Sequence, residues 1–114
     1  MTIAGLCQIG DISALLNDIP ETAISDGYTS DLLSDVVANC PAGAVLLTIQ
    51  AHANTVAVCT LVEAPAILIC GGRSVPEEML AAAKREGIAV LTTEMTQFQA
   101  SHAIGKALNL PTSP

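Results

Sequence analysis

From residue 26 onward the chain alternates short apolar runs with helical stretches, and this alternation restricts the fold more than any single motif does. The runs Val45 to Ile49, Ala66 to Cys70 and Ile88 to Leu91 read as strands. Ser30 to Asn39, Asn54 to Glu63, Pro76 to Glu86 and Thr96 to Leu108 read as helices around them. Strands separated by helices of about ten residues are the pattern of βαβ units, whose crossovers make neighbouring strands parallel. The punctuation agrees. Pro41 and Gly43 follow the first helix, Pro65 follows the second, Pro76 opens the third at a first-turn position and Gly87 ends it. Glu77 and Glu78 fall in the first turn of that helix, with Lys84 and Arg85 in its last, as the helix dipole favours. The expected fold is α/β, a three-layer αβα sandwich with a mostly parallel sheet.

The first quarter reads less regularly. Thr2 can cap a short helix whose apolar face is Ile3, Leu6 and Ile9, and Gly10 can stop it. Ile12 to Leu16 is a short strand, Ile19-Pro20 breaks the chain, and Thr22 to Ser25 is extended, leading into Asp26-Gly27. At 114 residues, of which 51% are hydrophobic, the sequence is expected to form a single domain spanning 1–114 with one core. Aromatics supply only 2% of it, Tyr28 and Phe98, so the packing falls to Ala, Val, Leu and Ile, whose small side chains let elements approach closely. With 13% charged residues and a mean hydropathy of +0.55, the chain carries more apolar surface than a monomer of this size hides. A homodimer is therefore expected.

A net charge of −7 sets the sign of the partners. Arg73, Lys84, Arg85 and Lys106 are the only cations and form no basic stripe, so nucleic acid is excluded as a partner for want of both charge and stacking rings. An anionic membrane surface is excluded on the same ground, and no apolar run approaches the roughly 20 residues that span a bilayer. Without a basic, apolar leader the expected location is cytoplasmic. Cys7, Cys40, Cys59 and Cys70 contain no Cys-x-x-Cys spacing, and in a reducing compartment they read as packed thiols. Zinc would have to recruit His52 or His102, but close-spaced ligand pairs are lacking, so no metal and no cofactor is expected.

The polar identity of the chain is concentrated in four segments where apolar runs end: Asp26-Gly-Tyr-Thr-Ser-Asp31, Thr48-Ile-Gln-Ala-His-Ala-Asn54, Gly71-Gly-Arg-Ser74 and Thr92-Thr-Glu-Met-Thr-Gln97. In a parallel sheet such loops open on one edge, where ligands bind and the free N–H groups of helix starts point. The candidate ligand-binding set is Tyr28, Ser30, Asp31, Thr48, Gln50, His52, Asn54, Gly71, Gly72 and Arg73. Each has a structural alternative. Asp26-Gly27 suits a turn, Ser30 an N-cap, Asn54 a helix cap and His52 a satisfied structural histidine. Paired glycines suit a tight turn with positive φ, and also let a ligand approach the backbone. Arg73 is the one cation in these segments and hence the candidate for a phosphate or carboxylate. Neither phosphate-loop nor dinucleotide fingerprint occurs. His102 and Phe98 read as packing residues. A small enzyme pairing His52 with Asp26 or Asp31 is the remaining option, and it lacks a nucleophile or cofactor signature.

Gly27-Tyr-Thr-Ser-Asp-Leu-Leu-Ser-Asp-Val36, followed by Thr48-Ile-Gln-Ala-His-Ala-Asn54, resembles the corresponding runs of the DRTGG domain family. The resemblance covers about residues 24 to 108. The string that names the family is absent, and only Cys70-Gly71-Gly72 approaches its end. Such domains stand alone or are joined to others, beside CBS domains in a regulated pyrophosphatase or before phosphate acetyltransferase domains. They are similar to the non-kinase N-terminal part of HPr kinase, whose P-loop this chain lacks. The resemblance implies a dimerising, non-catalytic regulatory module. The expectation is a homodimer that senses a small metabolite or nucleotide at the strand-end edge and acts on a partner enzyme. The alternative is a dimerisation scaffold with no ligand.

Overall fold

The computed structural model describes residues 1–112, so positions 113–114 of the expected single domain lie outside the described residues. In chain order the elements are α1 (Ile3–Leu6), β1 (Ser13–Leu16), β2 (Asp26–Thr29), α2 (Leu33–Asn39), β3 (Ala44–Thr48), α3 (Ala53–Val62), β4 (Ala66–Ile69), α4 (Glu77–Glu86), β5 (Ala89–Thr92) and α5 (Gln97–Ala107). They build a sheet of order β1-β5-β4-β3-β2. Strands β2 to β5 are parallel, and β1 lies antiparallel on β5 with a bulge between Ala14 and Leu16.

The central strands are buried on both faces because helices cover both. Alternation divides their side chains. Leu46, Ile67, Ile69 and Val90 pack with Val36 of α2, Val56 and Cys59 of α3, and Met79, Ala82 and Ala83 of α4. Val45, Leu47, Ala66, Leu68, Ala89 and Leu91 pack with Ile3 and Leu6 of α1 and Ala100 and Ile104 of α5. The result is an α/β sandwich of three layers, as the sequence pattern predicts. Ala66, Ala89 and Ala100 lie at the second interface, where small side chains admit α5 close to the sheet. No helix of the described residues is long and apolar enough to cross a membrane.

Thr2 does cap α1, its hydroxyl accepting the Gly5 N–H at 3.0 Å. The extended piece after Pro20 makes a single bridge, Ala23 to Thr2. Three boundaries are corrected by the structure: α1 ends at Leu6 with Cys7 as its C-cap, short of Ile9 and Gly10, α2 starts at Leu33 and not Ser30, and Asp26 to Thr29 is the edge strand β2, so the loop shrinks to residues 30–32. Asp and Gly are poor strand formers, which is why the pair reads as a turn. Tertiary packing overrides this. Gly27 lies under α5, with Ile104, Leu47 and Val45 3.8–3.9 Å from where a Cβ would stand. Its outward N–H, which no strand pairs, is taken by the Asp26 carboxylate at 2.8 Å. Those contacts are ordinary van der Waals distances and the backbone is not left-handed, so Gly27→Ala is expected to stabilise the fold by about 0.4–1 kcal/mol. Urea unfolding checks it; a loss of stability would show that β2 needs a bare backbone there.

All four cysteines are free, Cys59 and Cys70 buried and Cys7 and Cys40 half-buried. Burial pushes the Cys59 thiol up to about 12 and that of Cys70 up to about 11, and raises Cys7 and Cys40 as well. Since the thiolate is the reactive form, Ellman titration at mildly alkaline pH is expected to leave Cys59 and Cys70 unlabelled until unfolding, with Cys7 and Cys40 reacting slowly. Rapid labelling of Cys59 or Cys70 in the native protein would contradict this packing.

Candidate functional site

Because β2 to β5 are parallel, the loops 30–32, 49–52, 70–76 and 93–96 emerge on one edge, and antiparallel β1 brings Asp11 to the same edge. Helices α2, α3 and α4 share one face, and α5 lies on the other against β2 and β3. The loop after β4 and the loop after β5 therefore depart to opposite sides. Where consecutive connections diverge in this way a crevice opens at the strand ends. Here it is a cleft of about 420 Å³ lined by Asp11, Gly72, Arg73, Ser74, Thr93 and Glu94 among others.

Two similar clamps flank the β4 loop, and the Asp11 clamp lines the cleft. On one side the Asp31 Oδ1 accepts three bonds, from the Thr48 hydroxyl at 2.8 Å, the Ile49 N–H at 2.9 Å and the Gln97 amide at 3.0 Å. The Thr48 hydroxyl in turn accepts the Gln50 N–H at 3.1 Å. On the other side the Asp11 Oδ2 accepts from the Thr93 hydroxyl at 3.3 Å and the Glu94 N–H at 3.1 Å, and Thr93 accepts the Met95 N–H at 3.2 Å. In each clamp an aspartate from a neighbouring connection ties down a threonine at a strand end and the two residues after it. The loops flanking β4 are thereby held rigid, and the β4 loop between them is fastened by the Gly71 N–H to Met95 C=O and the Gly72 N–H to Thr93 C=O, at 2.8 and 3.0 Å. Burial raises the Asp31 carboxyl, yet the bonds from Ile49, Thr48 and Gln97, with the Arg73 charge, outweigh it and hold the carboxyl below its ordinary range.

Gly71 and Gly72 both take left-handed backbone, φ 74° and 65°, which explains the pair without a ligand. At Gly72 the Glu94 carboxylate occupies the space a Cβ would fill. Arg73 is exposed at the rim. Among the described residues the one salt bridge joins exposed Lys84 and Asp18; the Arg73 guanidinium makes none, although its charge reaches Asp31 and it shares the cleft with Asp11 and Glu94.

The remaining candidates are dispersed by the structure. Gln50 is exposed beside the β3 end. His52, not Asn54, caps α3: its Nδ1 accepts the Asn54 N–H at 3.0 Å. The neutral ring then carries its proton on Nε2, a donor presented outward. Ser30 is not the N-cap of α2, which begins from Leu32; its hydroxyl instead accepts the Leu32 N–H at 3.2 Å in a local turn. Tyr28 belongs to the α2–α4 face, and its hydroxyl donates to the Asp35 carboxylate at 2.8 and 2.9 Å. That bond, with partial burial, raises the Tyr28 pKa and commits the hydroxyl. Asp26 starts β2 while His52 follows the end of β3, so they occupy opposite edges of the sheet and cannot form an acid–base pair. Asp31 is committed to its clamp. Phe98 does not pack: it is 84% exposed in the first turn of α5, and His102 is exposed as well. Thr93 and Glu94 lie in the segment Thr92 to Gln97 read as edge-forming but stand outside the candidate set, and Asp11 escapes the sequence entirely, because an antiparallel edge strand that returns it to the cleft leaves no local signal. Among the described residues no three His, Cys, Asp or Glu side chains converge, so none is assigned to a metal.

No protein-family profile matches the chain, and no curated protein matches it. The fold is similar to a solved structure of the CBS and DRTGG domains of the regulatory region of Clostridium perfringens pyrophosphatase, complexed with its activator diadenosine tetraphosphate. The TM-score is 0.64 at 18% identity, over 96% of this chain and 46% of that one, so the chain spans about half the length of that protein. The likeness is one of fold, and it agrees with the resemblance read from Gly27 to Val36 and Thr48 to Asn54.

Proposed function

We propose that this chain is a non-catalytic regulatory domain that works as a homodimer, holds a small anionic metabolite or nucleotide at the strand-end edge, and passes its occupancy to a partner enzyme. The observation that carries the reading is Arg73, a cation in no salt bridge among the described residues, placed in the cleft where the β4 and β5 loops diverge. Arg73 binds the anion. The two aspartate clamps keep the loops from having to order when the ligand arrives, which lowers the cost of binding. Gln50 and His52 lie further along the same edge, with Gly71 as backbone open to close approach. The nucleotide activator of the Clostridium perfringens regulatory region supports a nucleotide as the first ligand class to try.

A thermal-shift panel of AMP, ADP, ATP, diadenosine tetraphosphate and inorganic phosphate tests this. A ligand that binds only the folded state adds about 2.7 kcal/mol at 100 times its Kd, a rise of roughly 10 °C for a domain of this size. A flat response across the panel and across a broader metabolite set would remove the ligand. It would select the scaffold reading, which the exposure of Leu32, Leu61 and Phe98, at 65%, 68% and 84%, favours.

A further inference from the structure

Helix α3, Ala-Asn-Thr-Val-Ala-Val-Cys-Thr-Leu-Val, contains no charged residue and is apolar or neutral on every side. A helix of that kind is ordinarily enclosed. Here only Thr55, Val56 and Cys59 are buried, while Asn54, Ala57, Thr60 and Leu61 face outward from the middle of the α2–α3–α4 layer. Leu61 is 68% exposed and Val37 of α2 46% exposed. A groove of about 290 Å³ runs between α3 and α4, lined by Ala53, Ala57 and Thr60 on one side and Ala82 and Arg85 on the other.

We propose that this layer is the homodimer interface, and that its occupant is the same layer of a second copy related by a two-fold axis perpendicular to the helices. The inference rests on the homodimer named under the proposed function and goes beyond it by naming the face. Charge selects both the occupant and the axis. Two copies that each carry −7 repel, and the uncharged α3 strip lets them meet along a line without like charges. Beside it, α4 is acidic in its first turn, Glu77 and Glu78, and carries Lys84 and Arg85 in its last, next to Glu86, so that turn keeps a net positive charge. An axis lying in the interface and perpendicular to the helices sets α3 antiparallel on α3 and α4 antiparallel on α4. Each acidic first turn then faces a basic last turn, Glu78 is matched with Arg85 of the second copy, and the helix dipoles oppose. Arg85 is exposed and, among the described residues, in no ion pair, whereas Lys84 is already held by Asp18 at 3.3 Å. At the centre of α3 the small Ala57 permits close approach, and the exposed Leu61 projects across. A standard interface takes about 800 Å² from each copy, roughly a seventh of the 5877 Å² surface.

Light scattering coupled to gel filtration at micromolar concentration is the test, applied to the wild type, Ala57→Arg, Leu61→Glu, Arg85→Glu and the exchange pair Arg85→Glu with Glu78→Arg. These positions are exposed, so circular dichroism should be unchanged throughout. The expected result is about twice the 11.6 kDa chain mass for the wild type, monomer for Ala57→Arg and Leu61→Glu, weakened dimer for Arg85→Glu, and recovery in the exchange pair. A wild-type dimer indifferent to Ala57→Arg and Leu61→Glu would overturn the face and leave the homodimer standing. A dimer lost in Ala57→Arg, with Arg85→Glu weakened but the exchange pair not recovered, would overturn the axis. A wild-type monomer would overturn both the face and the homodimer.

Discussion

Asp31→Ala is expected to cost about 3 kcal/mol of folding stability. Its Oδ1 gathers a side chain from β3, a backbone N–H from the loop after it and an amide from α5. Removing it orphans the hydroxyl of fully buried Thr48 and the Ile49 N–H, and a buried polar group left unpaired costs about 1–3 kcal/mol. The loss of Gln97 from its partner adds a smaller amount. Asp31→Asn retains the oxygen and loses the charge, and should cost about 1 kcal/mol. The pH dependence follows from the direction of the shift. A carboxyl held below its ordinary range in the folded state contributes stability above an unfolded pKa near 3.9 and loses it as pH falls through the lower, folded value. The acid limb should therefore lie below about pH 4 and be shallower in Asp31→Asn. Urea unfolding as a function of pH measures both; an Asp31→Ala loss under about 1 kcal/mol would show that the clamp bears little of the edge.

Arg73→Ala is expected to weaken binding of the anionic ligand by roughly 10- to 150-fold, the equivalent of one charge-assisted hydrogen bond, 1.5–3 kcal/mol. Arg73 is exposed and among the described residues makes no salt bridge, so unfolding curves of the variant should overlay the wild type within about 0.5 kcal/mol. His52→Ala should weaken binding less and destabilise slightly, since His52 also caps α3. Titration calorimetry with whichever nucleotide or phosphate shifts the wild type gives both numbers. An affinity indifferent to Arg73→Ala and His52→Ala would move the site away from this edge.

The parallel half of the fold was legible because periodicity and punctuation agree there: Pro65, Pro76 and Gly87 bound elements whose apolar runs are buried on both faces. Element ends fall within a residue or two of the expected ones from Ala44 to Ala107, apart from the caps. What escaped was set by tertiary contact. Asp26-Gly27 is a strand because α5 and β3 press on it, and no local preference records that. The edge common to the four loops followed from parallel topology alone. The cleft did not, because it depends on α5 crossing to the opposite face and on β1 returning Asp11 beside Thr93. Phe98 read as core for its chemistry, but its position in the first turn of α5 leaves it in solvent.

The central claim, a ligand held at the divergence of the β4 and β5 loops, is tested most directly by mapping backbone amide shifts while AMP, or inorganic phosphate in parallel, is titrated into the isotopically labelled protein. The account predicts that the perturbed amides cluster at residues 71–75 and 93–96, extend to 50–52, and vanish at the same concentrations in Arg73→Ala. Saturable perturbations confined to α2, α3 and α4, with the amides of Gly72, Arg73 and Glu94 unmoved, would contradict it.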